Sequence, residues 1–113
     1  MKALTHINNN GDPHMVDISH KNATDREAVA TGKVHFPEEV FKLLQSQDFN
    51  VAKGNIIQTA IIAGIMAVKK TSEFIPLCHP LALSKVDIDI QPKNSFFLIE
   101  SRVKCHQPTG VEM

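Results

Sequence analysis

Residues 83–90, Leu83-Ser84-Lys85-Val86-Asp87-Ile88-Asp89-Ile90, decide the fold together with the helical run that precedes them. Val86, Ile88 and Ile90 alternate with Lys85, Asp87 and Asp89, which is the period of a strand with one dry and one wet face. Residues 55–68, Asn55-Ile56-Ile57-Gln58-Thr59-Ala60-Ile61-Ile62-Ala63-Gly64-Ile65-Met66-Ala67-Val68, carry a helical period instead. Ile57, Ile61, Gly64 and Val68 mark one face, and Ile56, Ala60, Ala63 and Ala67 mark another beside it. A helix apolar on most sides is expected to be buried or shared between subunits. Asn55 is the predicted N-cap.

Working outward, residues 92–95 turn the chain and 96–103 return as a partner strand with Phe97, Ile99 and Val103 on one face. Upstream, 27–36 alternates loosely (Ala28, Ala30, Val34, Phe36) and predicts a first strand. Pro37-Glu38-Glu39 opens a short helix, because proline suits the first turn and acids favour its positive end. Val40, Leu43 and Leu44 form its apolar face. Residues 45–52 read as a polar loop and 1–21 as a polar arm. The order β, α, α, β, β gives an α+β sandwich, an antiparallel sheet with helices on one face. Residues 108–113 read as a turn leading into a new element, and a sheet of this kind needs a further covering helix. A C-terminal helix and strand are therefore expected to be missing.

The chain of 113 residues is long enough for one small domain. Its net charge is +0, from 12 basic and 12 acidic residues, which argues against non-specific nucleic-acid binding. Residues 1–10 contain no apolar run, so no signal peptide is expected. The longest apolar stretch, 59–68, is too short to span a membrane. With 2 cysteines, Cys78 and Cys105, a disulfide framework is not expected and a cytoplasmic setting fits. The chain has no Trp or Tyr and 6 Phe.

The chemistry concentrates in 69–81, Lys-Lys-Thr-Ser-Glu-Phe-Ile-Pro-Leu-Cys-His-Pro-Leu. Pro76 and Pro80 stiffen a loop around Leu77, Cys78 and His79. In an extended loop, neighbours point to opposite sides, so one of Cys78 and His79 faces a ligand while the other packs. His79 is a candidate proton carrier near neutral pH. Lys69 and Lys70 end a helix, where cations offset the dipole, and Lys69 is the candidate for facing phosphate. Lys53, at a Lys-Gly-Asn helix start, combines an ammonium with helix amides, a pairing that suits phosphate; the alternative is a surface lysine beside a turn glycine. Arg26 is either a phosphate fork or a solvated charge. Two Cys-His dipeptides, Cys78-His79 and Cys105-His106, invite a zinc reading, but immediate neighbours are poorly spaced to chelate one metal. Neither a metal site nor a resident cofactor is expected.

Several ordered motifs resemble the molybdenum cofactor biosynthesis protein C family, the cyclic pyranopterin monophosphate synthases. They are Leu4-Thr5-His6-Ile7-Asn8, Met15-Val16-Asp17-Ile18-Ser19 with Lys21, and Thr24 with 26–30. Lys53-Gly54, Ala60 with 62–65, 69–73, 75–81 and Thr109-Gly110-Val111-Glu112-Met113 follow in order. The resemblance covers essentially the whole chain. It departs at Pro108, where the family usually carries a lysine, and family members continue past Met113 into a helix with an Asp and a Lys used in catalysis.

The resemblance implies a lyase that converts the cyclised dihydro derivative of GTP, (8S)-3',8-cyclo-7,8-dihydroguanosine 5'-triphosphate, to cyclic pyranopterin monophosphate with release of pyrophosphate. It implies a ferredoxin-like domain assembled as a hexamer, a trimer of dimers, with sites between subunits. Carried over residue by residue, Lys53, Lys69 and His79 become the catalytic residues. Leu77, Cys78, His79, Glu112, Met113 and Arg26 become substrate contacts. The small-molecule substrate is the expected partner, with no nucleic acid and no membrane. The competing expectation is a truncated, non-catalytic homologue that binds or assembles without turnover.

Overall fold

The computed structural model describes residues 13–15, 17, 22–107 and 111. In chain order these form strand β1 (Thr24–His35), helix α1 (Glu38–Ser46), the two-residue strands β2 (Asn50–Val51) and β3 (Gly54–Asn55) and helix α2 (Ile56–Lys69). A single-turn helix α3 (Thr71–Phe74) and strands β4 (Leu83–Pro92) and β5 (Phe96–Gln107) follow. The sheet is antiparallel in the order β1-β5-β4, and β2 and β3 form a separate hairpin. The fold is α+β, as the two periodicities predict.

Three local expectations change. Strands β1 and β5 run longer than their apolar alternation, because backbone pairing continues from His35 opposite Phe96 to Thr24 opposite Gln107 whatever the side chains. Pro37 sits at the N-cap rather than inside the first turn, since its ψ of 139° is extended. The polar run 45–52 is a folded corner rather than a plain loop. Asp48 and Phe49 take left-handed φ values of 51° and 61°, stop α1 and turn the chain into β2. The Phe49 amide donates to Leu44 O at 2.8 Å, and the Ile56 amide donates to Phe49 O at 2.9 Å, so this corner docks on the start of α2.

The core lies between the sheet and the helices at the end where α1 meets the β4–β5 turn. Phe41, Ile90 and Phe97 are buried there, with Phe36, Phe49 and Ile61 packed against them. Phe97 meets Phe36 and Phe49 edge-on, at centroid separations of 4.9 and 5.4 Å. Such contacts contribute about 0.5–1.5 kcal/mol each beyond the area they bury.

Farther along the sheet, α2 packs closely on β4. A methyl placed on Gly64 would stand 3.3 Å from Ile88 Cγ1, so the missing side chain sets how near the helix lies. The expected inner face is correct: Ile57, Ile61 and Gly64 are half-buried and Val68 is buried. Among the described residues the neighbouring face is largely exposed. Ala60, Ala63 and Ala67 are exposed, as are Ile62 (59%) and Met66 (51%). Among the described residues no helix is long and apolar enough to cross a membrane.

Candidate functional site

Lys53 sits in the turn of the β2–β3 hairpin, immediately before α2. Gly54, at φ 118°, supplies a backbone conformation that side-chain-bearing residues rarely adopt. Asn55 fixes the hairpin to the helix. Its Oδ1 accepts from the Ile57 and Gln58 amides at 3.0 Å each, and its Nδ2 donates to Asp48 O at 3.1 Å and Asn50 Oδ1 at 3.2 Å. An open, mostly apolar cavity of about 260 Å³ lies between Lys53, Val51, Ile56, Thr59 and Ala60. Replacing Asn55 with Ala removes the cap and both tethers. The expected loss is about 2 kcal/mol, the upper end for N-cap removal, measured as a shift in urea midpoint at unchanged slope.

Lys69 is the last residue of α2 and Lys70 its C-cap, so both ammonium groups also meet the negative end of the helix. The Thr71 hydroxyl donates to Ala67 O at 2.8 Å, and α3 follows at once. The chain then turns at 75–78, where the Cys78 amide donates to Ile75 O at 3.3 Å. Pro76 occupies the second position of that turn, and Leu77 the third at φ 67°, where glycine is usual. A leucine in this region costs about 1–3 kcal/mol, and such strain persists where neighbouring structure enforces it.

The expectation that only one of Cys78 and His79 packs is overturned, because both are buried, at 3% and 7% exposure. Alternation separates the directions of neighbouring side chains but does not decide that one of them meets solvent, and here neither does. The Cys78 thiol donates to His79 O across 3.6 Å. Beside this loop a cavity of about 430 Å³ is walled by Lys69, Leu81, Leu83, Ser84, Lys85 and Val86.

Arg26 is half-buried near the start of β1, opposite Cys105. It lines a third cavity, of about 370 Å³, with Asp25, Glu27, Ser84 and Lys104. On the outer face of the sheet Arg102 bonds Glu27 and also reaches Glu100 at 3.2 Å, while Lys104 lies 3.4 Å from Glu27. The Arg102 hydrogen bond, helped by Lys104, holds the Glu27 carboxyl below the usual carboxylate range.

A carboxyl lowered in the folded state stabilises the fold above its unfolded pKa and loses that effect as pH falls through the folded value. The stability advantage of the native chain over a Glu27→Gln variant is therefore expected to persist at neutral pH. It should shrink below about pH 4, and it should be small because the group is exposed. Urea titrations of both proteins across pH 3–7 (roughly the span around the carboxylate range) measure it.

The chain brings some of these residues together and keeps others apart. Lys53 and Lys69 stand at opposite ends of α2, whose 14 residues span about 21 Å. The Lys69 and Arg26 cavities meet at Ser84, which lines both. Glu112 and Met113 lie outside the described residues. The two Cys-His pairs part company: Cys105 is buried, while His106 is exposed and its Nδ1 lies 2.6 Å from Asp25 Oδ1. Among the described residues no three His, Cys, Asp or Glu side chains gather as a metal site would require. Ser84, Lys85 and Lys104 were not anticipated. Alternation marks Lys85 as outward-facing, but no turn residue announces the irregularity beside it.

Residues 15–113 match the sequence model of the MoaC family. A cyclic pyranopterin monophosphate synthase of Helicobacter pylori strain J99 is 48% identical over 112 residues, covering 97% of this chain and 70% of its own length. The protein of the same name from Campylobacter jejuni subsp. jejuni serotype O:6 is 47% identical with the same coverage. A second Helicobacter pylori relative of that name, from strain HPAG1, is also 47% identical.

Proposed function

The chain belongs to the MoaC family, and on that premise we propose that it acts in molybdenum cofactor biosynthesis as a cyclic pyranopterin monophosphate synthase. The observation that carries this reading is the near-half identity to synthases of that name over 97% of the chain. As a lyase it takes the cyclised dihydro-GTP, rebuilds the pterin, closes the cyclic phosphate and releases pyrophosphate. That chemistry needs cations against the triphosphate and a group that moves protons near neutral pH.

Lys53 and Lys69 supply the cations in this reading, and His79 the proton-transfer group. Leu77 and Cys78 frame the substrate, and Arg26, Glu112 and Met113 bind it. The cavity beside Lys69, about 430 Å³, falls within the range of small-molecule sites. The uncovered apolar face of α2 supports assembly with further copies, as a hexamer built from dimers. Assembly would also bring Lys53 of one subunit towards His79 of another, which the length of α2 opposes within a single subunit.

The test is product analysis by mass spectrometry. The cyclised dihydro-GTP is given to the 113-residue chain and to a version extended to the length of its relatives. Cyclic pyranopterin monophosphate and pyrophosphate in equal amounts are expected from the extended version. Unchanged substrate in both samples refutes the reading.

A further inference from the structure

We propose that Asn55 is a positioning residue for Lys53, a side-chain tether that fixes the tip of the β2–β3 hairpin on the start of α2. Its bearing on the reaction rests on the function proposed above, in which Lys53 faces substrate phosphate.

The hairpin has little with which to hold itself. Its ladder consists of Asn50 opposite Asn55 and Val51 opposite Gly54, with Ala52 and Lys53 as the turn. Two-stranded hairpins are marginal in water even when much longer. Neither Ala52 nor Lys53 has a positive φ, whereas the turns that match the twist of paired strands take one at the first or at both of these positions. Burial supplies no anchor either, because residues 50–54 are all exposed and only Asn55 is half-buried.

The Asn55 amide supplies the anchor. Its Oδ1 accepts from the Ile57 and Gln58 amides, which fixes the side chain on the helix. Its Nδ2 then reaches back to Asp48 O at 3.1 Å and to Asn50 Oδ1 at 3.2 Å, on the facing strand. One planar group thus joins the helix start, the opposite strand and the left-handed corner at Asp48. The root of the hairpin is closed separately, by the Ile56 amide on Phe49 O at 2.9 Å. Asn55 continues that closure towards Lys53. A serine caps a helix about as well, but its short hydroxyl cannot also span the hairpin. Misplacing a catalytic contact by about 1 Å costs up to about 10²-fold in rate.

The test separates the tether from the cap. In a chain extended to the length of its relatives, Asn55→Ser is expected to lower single-turnover pterin formation about tenfold or more while the urea midpoint stays near native. Asn50→Ala, which removes one of the two acceptors, should cost about threefold. In a Lys53→Ala background Asn55→Ser should change the rate by less than about twofold, since no ammonium is left to misplace; a merely structural role would multiply the two losses. Amide nitrogen relaxation of the 113-residue chain reads the tether without substrate. Order parameters at Ala52 and Lys53 should fall below about 0.6 in Asn55→Ser, with those of α2 unchanged. Native rates or native order parameters in Asn55→Ser overturn the proposal, as does full multiplication with Lys53→Ala. Absence of product from the unsubstituted extended chain refutes the synthase reading instead, and the order parameters then decide the tether by themselves.

Discussion

Replacing Lys53 with Ala, in a chain extended to the length of its relatives, is expected to lower the rate of pterin formation by about 10²–10³-fold. That is the usual cost of removing one preorganised charge-stabilising donor from a site. This expectation rests on the role proposed for Lys53 and on its setting. Gly54 and the capping Asn55 hold its turn against the start of α2, where the helix dipole favours negative charge although Asn55 Oδ1 and Phe49 O already take the first amides. The cavity beside it is walled mainly by Val51, Ile56, Ala60 and Ala63, so a bound phosphate is less screened than in water.

Lys53 is exposed, so the thermal midpoint of the variant should match that of the native chain. Lys53→Arg should recover part of the rate. If Lys53 and His79 meet from different subunits, mixed Lys53→Ala and His79→Ala chains should regain activity that neither has alone. Single-turnover product formation measures all three. Native rates in Lys53→Ala would remove the residue from the catalytic set.

The largest effect on stability is expected at Phe97. Its ring is 5% exposed and touches Phe36, Phe41 and Phe49 at centroid distances between 4.9 and 6.1 Å. Phe97→Ala removes one of the two rings, with Phe41, that touch all the others, and leaves a cavity between the sheet and α1. The expected loss is about 3–5 kcal/mol, against a total of about 5–15 kcal/mol for a domain of ordinary stability. Phe74, 71% exposed, is the control, and its replacement with Ala should shift the urea midpoint by less than about 0.5 kcal/mol equivalent. Equal midpoints for the two variants would mean that the phenylalanine cluster is not the structural centre.

The elements readable in the sequence were those whose period is set by burial. Ile57, Ile61 and Val68 trace the inner face of α2, and Val86, Ile88 and Ile90 that of β4, because each touches the core at every repeat. What escaped depends on single backbone angles. Asp48 belongs to a type that tolerates the left-handed region, but nothing in Phe49 or Leu77 marks one, since each stands where glycine would ordinarily announce the turn. The burial of both Cys78 and His79 depends on what packs around the loop, which a local reading does not contain. The bulge at Ser84 arises from pairing with β5, a partner more than a dozen residues away in sequence, so a local reading has no access to it. The positions of Lys53 and Lys69 at the two ends of α2 were legible because helix ends carry their own signals, a cap on one side and cations on the other.

The cluster of Phe36, Phe41, Phe49 and Phe97 also has an optical consequence. With no indole or phenol anywhere in the sequence, the aromatic core contributes only the weak bands of benzene rings. Absorbance at the customary protein wavelength would badly underestimate concentration, and intrinsic tryptophan fluorescence offers no signal for unfolding. The same transparency favours ligand work. A purine or pterin bound to this chain would dominate the near-ultraviolet spectrum, so substrate disappearance and product appearance can be followed directly by light, without a label and almost without protein background.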